Sequence, residues 1–298
     1  MPTIWFRMLR RLRYEYLRRF ENPAVLETRQ GIFRVPIAVP DPISRELFLF
    51  GSFELELMNE AMELVRRLSG RTRGKGTLID IGANNGVTSI GMLVTGQLDS
   101  AIAIEPEPVN FGRLRDNVTL NGLDASILQL NCALSDRKTT LAFELSDTNY
   151  GDHRVRVSVD PAGVREDFRE SERPVIDVPA DTLDATLAGL PSRWTNDIAV
   201  IWIDVQGYEG LVFSGARRTL ERGIPVVSEV WPYGIMRAGM TLDAFSALVG
   251  EIWQSFWVRR RGRFVRYPVL AFRAFLDELG SNGDYENVVF TCDREKAN

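Results

Sequence analysis

The chain of 298 residues contains a single histidine, His153, and only two cysteines, Cys132 and Cys292. Two thiols this far apart match no metal-ligand spacing. So low a thiol content suits a reducing compartment, although one bridge between them stays open. No apolar run approaches the ~18 residues of a membrane span. Arg7, Arg10, Arg11 and Arg13 interrupt any apolar signal-peptide core near the start, so a cytoplasmic protein is expected. A large excess of one charge is also missing. The formal net charge is −4, which speaks against a dedicated nucleic-acid binder and leaves only local basic patches. Internal repeats are absent. What is present, 45% hydrophobic and 26% charged residues, is ample for a folded core.

Residues 4–20 interleave aromatics and leucines with six arginines and read as a helix. Such a helix packs on the main domain or on a second subunit, or lies on a membrane surface or polyanion through its basic side. From Pro23 to Pro42 prolines and β-branched residues predict extended chain, and residues 53–68 return to helical periodicity. From Thr77 onward strands alternate with helices: TLIDIG, a helix at 86–95, AIAIEP, a helix closed near Gly122, then SILQLNCAL as a third strand. Residues 135–180 break this rhythm with hairpin-like segments and a polar stretch around 161–174. IAVIWIDV has the continuous apolar character of a central parallel strand. A helix at 208–222, the strand PVVSEV, a helix near 241–250, an Arg-rich hairpin near 252–267, a helix near 269–279 and the strand ENVVFTC follow. The expected organisation is an N-terminal helical and extended segment, 1–70, and an α/β domain, 71–298, with an insertion at about 135–180. Its doubly wound sheet binds ligands at the C-terminal strand ends.

One strand–helix turn carries most of the chemical information. In DIGANNG, Asp80 to Gly86, the glycines Gly82 and Gly86 permit left-handed backbone, and Asn84 tolerates it at the position between them. Glu105 ends the next strand, 19 residues after Gly86, where a carboxylate accepts hydrogen bonds from two ribose hydroxyls. NAD fits that spacing too. Its pyrophosphate, however, favours bare backbone N–H groups, whereas the sulfonium and ammonium of S-adenosylmethionine favour a carboxylate such as Asp80 at the turn.

The sequence resembles the FkbM-family methyltransferases over about residues 77–232, through IDIGANNGVTS, AIEPEPVNFGRL with NVTLNG, ALSD at 133–136, DTLD at 181–184, IDVQGYEG at 203–210, GARRTL and SEVWPY. The resemblance implies a Rossmann-like class I methyltransferase fold with a seven-stranded, mostly parallel sheet whose last strand is antiparallel. It also implies methyl transfer from S-adenosylmethionine, usually to a hydroxyl of a sugar, glycan or natural product. By position it implies cofactor contacts from Asp80, Gly82, Ala83, Asn84, Asn85, Gly86, Glu105 and Pro106, from Asn131, Cys132, Ala133 and Leu134 beside the adenine, and from Asp204 near the transferred methyl. Two positions depart from the family pattern. Gln206 stands where the family commonly has Glu, and Trp202 where it usually has Lys.

A hydroxyl nucleophile must lose its proton to a base within hydrogen-bond reach. His153, in the insertion that should overhang the strand ends, and Asp204, as base or orienter, are the catalytic candidates; each has a purely structural alternative, as a surface histidine or a helix cap. Glu209 and Glu229 could join Asp204 around a divalent metal, but their spacing is not diagnostic, and no metal site is predicted. Trp231 and Tyr233 follow the fifth strand, as acceptor floor or as core. Arg259, Arg260, Arg261, Arg263 and Arg266 form a solvated hairpin or receive an anionic acceptor. Three other functions remain open at this point: an NAD-dependent oxidoreductase, a nucleic-acid methyltransferase and a non-catalytic interaction module. So does oligomerisation.

Overall fold

The computed structural model describes residues 4–20, 23–38, 41–147, 149–156 and 170–292. The chain starts with α1 (Ile4–Phe20), the antiparallel hairpin β1 (Ala24–Thr28) and β2 (Gly31–Val35), then α2 (Pro42–Phe50) and α3 (Leu55–Ser69). The alternating part follows as β3 (Thr77–Ile81), α4 (Val87–Val94), β4 (Ser100–Ile104), α5 (Pro108–Leu120) and β5 (Ile127–Leu130). A second sheet comes from β6 (Ala133–Leu134), β7 (Thr139–Glu144), β8 (Arg154–Val155) and β9 (Val175–Asp181). The remainder is α6 (Leu183–Ala188), α7 (Ser192–Thr195), β10 (Ile198–Ile203), α8 (Glu209–Ser214), α9 (Arg217–Leu220), β11 (Val226–Val230), α10 (Pro232–Arg237), α11 (Leu242–Ile252), β12 (Ser255–Arg260), β13 (Arg263–Pro268), α12 (Phe272–Leu279) and β14 (Glu286–Thr291).

Among the described residues the main sheet has eight strands in the order β13-β12-β14-β11-β10-β3-β4-β5. The run β11-β10-β3-β4-β5 is parallel throughout, and β14 enters antiparallel between β11 and β12. Seven of these strands match the expected sheet, including its antiparallel last strand. The eighth, β13, is the return arm of the Arg-rich hairpin, which pairs on to the edge instead of standing clear of it.

The strands read as unbroken apolar runs because both faces of the sheet are covered. In β3, Ile79 and Ile81 pack on one side with Ile201, Phe213 and Phe245, whereas Leu78 packs on the other with Phe33, Met58 and Val200. Helix starts follow local capping chemistry. Glu107 accepts from Val109 N and Asn110 N with Pro108 in the first turn of α5, and Asp41 accepts from Ser44 N ahead of α2.

Two sequence expectations change. SILQLNCAL is not one strand: β5 ends at Leu130, and Ala133–Leu134 pairs with β9 in the second sheet. The helix expected at 208–222 is two short ones, because Gly215 lies against Ser135 O, where a Cβ would sit 1.9 Å away. Of the hairpin and polar segments expected between 153 and 174, residues 157–169 lie outside the described residues.

The strand order reverses between β3 and β10, so their C-terminal ends splay a crevice between the loops that follow.

Candidate active site

That crevice is a cavity of about 550 Å³ walled by the turns after β3, β4, β10 and β11, by residues 146–147 and 149–153, and by α2 with the segment leading into α3. Its size falls within the ~300–1,000 Å³ range of small-ligand sites.

The turn after β3 needs its glycine. Gly82 has φ 86°, and a Cβ there would lie 1.9 Å from Asp204 O, so the β3 and β10 ends approach more closely than a side chain allows. Asn84 takes φ 50°, the left-handed conformation expected of it. Gly82 N and Ala83 N both donate to Ile104 O at 3.0 Å, and Asn84 N donates to Glu105 Oε2 at 2.8 Å. Glu105 Oε1 receives Glu107 N at 2.9 Å. The Glu105 carboxyl is fully buried at the cavity wall, and that burial raises its pKa to about 8 against the pull of its two backbone donors. Asp80 is buried as well. Its Oδ2 accepts Ser89 N at 3.1 Å and Ser89 Oγ at 2.6 Å, and desolvation raises it to about 7.

On the β10 side, Gln206 sits at φ 54° and its single Nε2 donates to Asp204 Oδ1 at 2.6 Å and to Glu229 Oε1 at 3.1 Å. Burial raises the pKa of both carboxyls, and for Glu229 the neighbouring Asp204, Glu209 and Glu54 add to it. Glu54 joins the same wall from the start of α3; burial first, then Asp204 and Glu46, lift it to about 7. Glu209, grouped with these acids by sequence, instead folds on to its own loop, accepting Val205 N and Gly207 N at 3.2 Å each. Among the described residues no group of three or more acidic, histidine or cysteine side chains is arranged to hold a metal.

Residues 146–147 and 149–153 roof the cavity. Tyr150 O receives Asn84 Nδ2 at 3.2 Å and Asn110 Nδ2 at 3.1 Å, and the Arg113 guanidinium lies 4.1 Å from the Tyr150 ring centre. His153 lines the cavity as its position in the insertion suggested, but its Nδ1 accepts Ser146 N at 2.9 Å. The lone pair of a neutral imidazole is thereby used, and its proton sits on Nε2. Burial, with Arg173 and Arg113 nearby, lowers its pKa to about 4. The roof is held from outside by a buried ion cluster: Arg154 pairs with Glu144 at 2.9 Å and Glu170 at 3.0 Å, and Arg173 with Asp152.

The fold thus brings Asp80, Gly82, Ala83, Asn84, Glu105, Pro106, Cys132, Ala133, Leu134, His153 and Asp204 to one cavity. Asn85, Gly86 and Asn131 stand behind it. Asn85 O accepts Asn117 Nδ2 at 2.9 Å, and Asn131 Nδ2 clamps Glu105 O and Pro106 O at 2.9 and 3.1 Å. Trp231 lines the cavity, with Arg154 5.1 Å over its ring, whereas buried Tyr233 turns its hydroxyl to Glu170 at 3.1 Å. Arg259 pairs with Glu60 at 2.7 Å, and Arg260 with Glu278 and Glu286, all outside this cavity. Glu46, Glu54, Tyr150, Asp152 and Tyr285 line it without having been singled out by sequence. Glu54, read from sequence as part of a helix over 53–68, instead precedes α3 in left-handed backbone, so its helical pattern gave no sign of the site.

The strand order β5-β4-β3-β10-β11-β14-β12, with β14 antiparallel, a glycine turn after β3 and an acid at the end of β4, is that of a Rossmann-like class I methyltransferase fold. The sequence model described as "Methyltransferase FkbM domain" matches residues 80–264, and the chain belongs to that family. No curated protein matches it. Among solved structures it is similar to a methyltransferase FkbM from Methylobacillus flagellatus KT, at 16% identity over 83% of this chain and 52% of that one, TM-score 0.43. The chain therefore spans about half the length of that relative. It is also similar to M. jannaschii tRNA m1G37 methyltransferase (11% identity, 92% and 55% covered, TM-score 0.42) and to P. horikoshii TYW2 in complex with MeSAdo (14%, 90% and 70%, TM-score 0.39).

Proposed function

We propose that this methyltransferase uses S-adenosylmethionine and O-methylates a hydroxyl of a sugar, glycan or natural-product acceptor. The observation that carries the reading is a single cavity with a nucleoside-type half, Asp80 and Glu105, facing an acidic half, Asp204, Gln206 and Glu229. The donor set suits the cofactor: one carboxylate for paired ribose hydroxyls, apolar Ala133 and Leu134 with Cys132 for a base, and buried acids for a cation. When bound, the cofactor supplies an electrophilic methyl on a positively charged sulfur.

This chain's residues do the rest. Asp80, Gly82, Ala83, Asn84, Glu105 and Cys132 to Leu134 hold and orient the donor. Asp204, hydrogen-bonded through Gln206 and raised towards neutrality by burial, takes the hydroxyl proton, and Glu229 shares the Gln206 amide. His153 is assigned a different part from the base first considered. Neutral and protonated on Nε2, it orients the acceptor oxygen as a donor. Most acceleration then comes from holding the nucleophile in line with the methyl.

The acidic wall counts against two rivals. The pyrophosphate of NAD or the phosphodiesters of a nucleic acid would push Asp80, Asp204, Glu229 and Glu54, already raised by burial, further towards protonation, whereas a cationic cofactor favours their ionised forms. The same wall favours a neutral polyhydroxyl acceptor over a phosphorylated one. No metal is assigned a part. The reading includes residues 1–70 as an extension, 71–298 as the catalytic domain with an insertion at about 135–180, and a cytoplasmic location; no described helix is long and apolar enough to cross a membrane.

Incubation with methyl-labelled S-adenosylmethionine and fractionated metabolites tests it. Transfer of label to an alkali-stable methyl ether is expected. Binding of NAD in preference to adenosylhomocysteine in a thermal-shift comparison overturns it.

A further inference from the structure

Helix α1 has two opposed apolar faces. One, Tyr14 and Leu17, is spent on the protein: Tyr14 is buried with its ring 5.3 Å from Phe48 of α2, and Arg10 Nη1 donates to Leu49 O at 3.1 Å. The other points outward. Met8, Leu9, Leu12, Tyr16 and Phe20 are 50 to 70% exposed. At 100° per residue they fall within one sector of the helix opposite Tyr14, a grouped stripe rather than scattered apolar residues. Arg11 and Arg13, both exposed, flank it on either side, exposed Arg19 lies within its sector near the C-terminal end, and Glu15 is the one acid in the helix. The positive charge is local, because the chain as a whole is at −4.

We propose that α1 docks this protein on an anionic lipid surface, the stripe sinking into the acyl boundary and the arginines meeting the headgroups. Tyr16 and Phe20, whose rings lie 4.9 Å apart, supply the aromatic content such interfaces favour. A second copy of the chain fits the stripe less well. A two-fold pairing of α1 with α1 would bring its arginine flanks against each other with a single Glu15 per copy to offset them. A lipid surface offers the opposite charge along the whole helix. The docked element stands one helix from the active site, because α2, which receives Tyr14, also contributes Pro42, Ile43 and Glu46 to the cavity wall.

The test uses the full chain, flotation with phosphatidylcholine vesicles with and without phosphatidylglycerol, and two variants. Leu12→Glu with Tyr16→Glu removes the stripe. Arg11→Ser, Arg13→Ser and Arg19→Ser removes the three exposed arginines on and beside it. All five side chains are exposed, and unchanged circular dichroism and adenosylhomocysteine binding verify the fold. Binding confined to anionic vesicles is expected, weakened at least about tenfold by the first variant and about a hundredfold by the second, at about fivefold per arginine. Absence of binding to anionic vesicles overturns the proposal. So does binding that survives Leu12→Glu with Tyr16→Glu, the mark of a general polyanion contact. A dimer in sedimentation that the first variant dissociates, without vesicle binding, assigns the stripe to self-association and overturns it as well.

Discussion

Replacing Glu105 by glutamine should stabilise the free protein at pH 8 and weaken its cofactor affinity. Burial lifts the Glu105 carboxyl from 4.5 to about 8. An acid with a higher pKa folded than unfolded keeps its proton longer in the native state. Between those values the native state therefore binds more protons, and stability falls as pH rises through the window. A displacement of that size corresponds to ~5 kcal/mol of native-state penalty at pH above 8, and to none at pH 4. Glutamine removes the penalty but loses one of the two backbone donors, Asn84 N or Glu107 N, a charge-assisted bond worth ~2 kcal/mol. The variant should gain ~3 kcal/mol at pH 8 and change little near pH 4, where the wild-type carboxyl is itself protonated and has no charge-assisted bond to lose. Urea unfolding at both pH values measures the difference, and calorimetry with adenosylhomocysteine should show affinity reduced at least ~tenfold. Lower stability than wild type at pH 8, or unchanged affinity, would refute the reasoning that this acid is kept in an unfavourable place for a ligand.

Other outcomes follow from the same geometry. Asp204→Asn should lower kcat at least ~100-fold, the scale of a lost general base, while adenosylhomocysteine affinity changes little; a turnover near wild type removes Asp204 from proton transfer. His153→Ala should reduce turnover but leave the acid limb of the pH–rate profile where it was, because a group with a pKa of about 4 is neutral throughout an assay at pH 6–9; a moved limb returns the base role to His153. Gly82→Ala must displace the β10 end that its Cβ would meet at 1.9 Å, and should cost ~2–4 kcal/mol in denaturant unfolding. Gln206→Leu leaves Asp204 and Glu229 facing each other without their shared amide, and should shift the alkaline-rising limb of the rate profile upward, since one proton is then held between two carboxylates; an unmoved limb means the amide does not tune them.

Much of the sheet was legible because buried parallel strands have to be apolar on both faces, and TLIDI and IAVIWI could be little else. The turn was equally plain, since only glycine fits at position 82 and asparagine suits position 84. What local pattern could not convey was contact at a distance. The break between Leu130 and Ala133 comes from Asn131 being drawn back to Glu105 O and Pro106 O, while Leu134 is claimed by a partner nearly fifty residues on. Glu54, Asp152, Glu229 and Tyr285 meet at one cavity only because α3, the roof, β11 and the approach to β14 converge on the same strand ends. The sole histidine drew attention by its chemistry, but its tautomer depends on the Ser146 amide, which no spacing foretells.

The carbonyl of Tyr150 takes one amide from the glycine turn through Asn84 and another from α5 through Asn110. A displacement of this segment by little more than an ångström severs both attachments together, so the ceiling behaves as a latch with two bolts on a single strike plate. Whatever occupies the chamber beneath shares that latch, and the spent nucleoside and the finished product are released by the same motion.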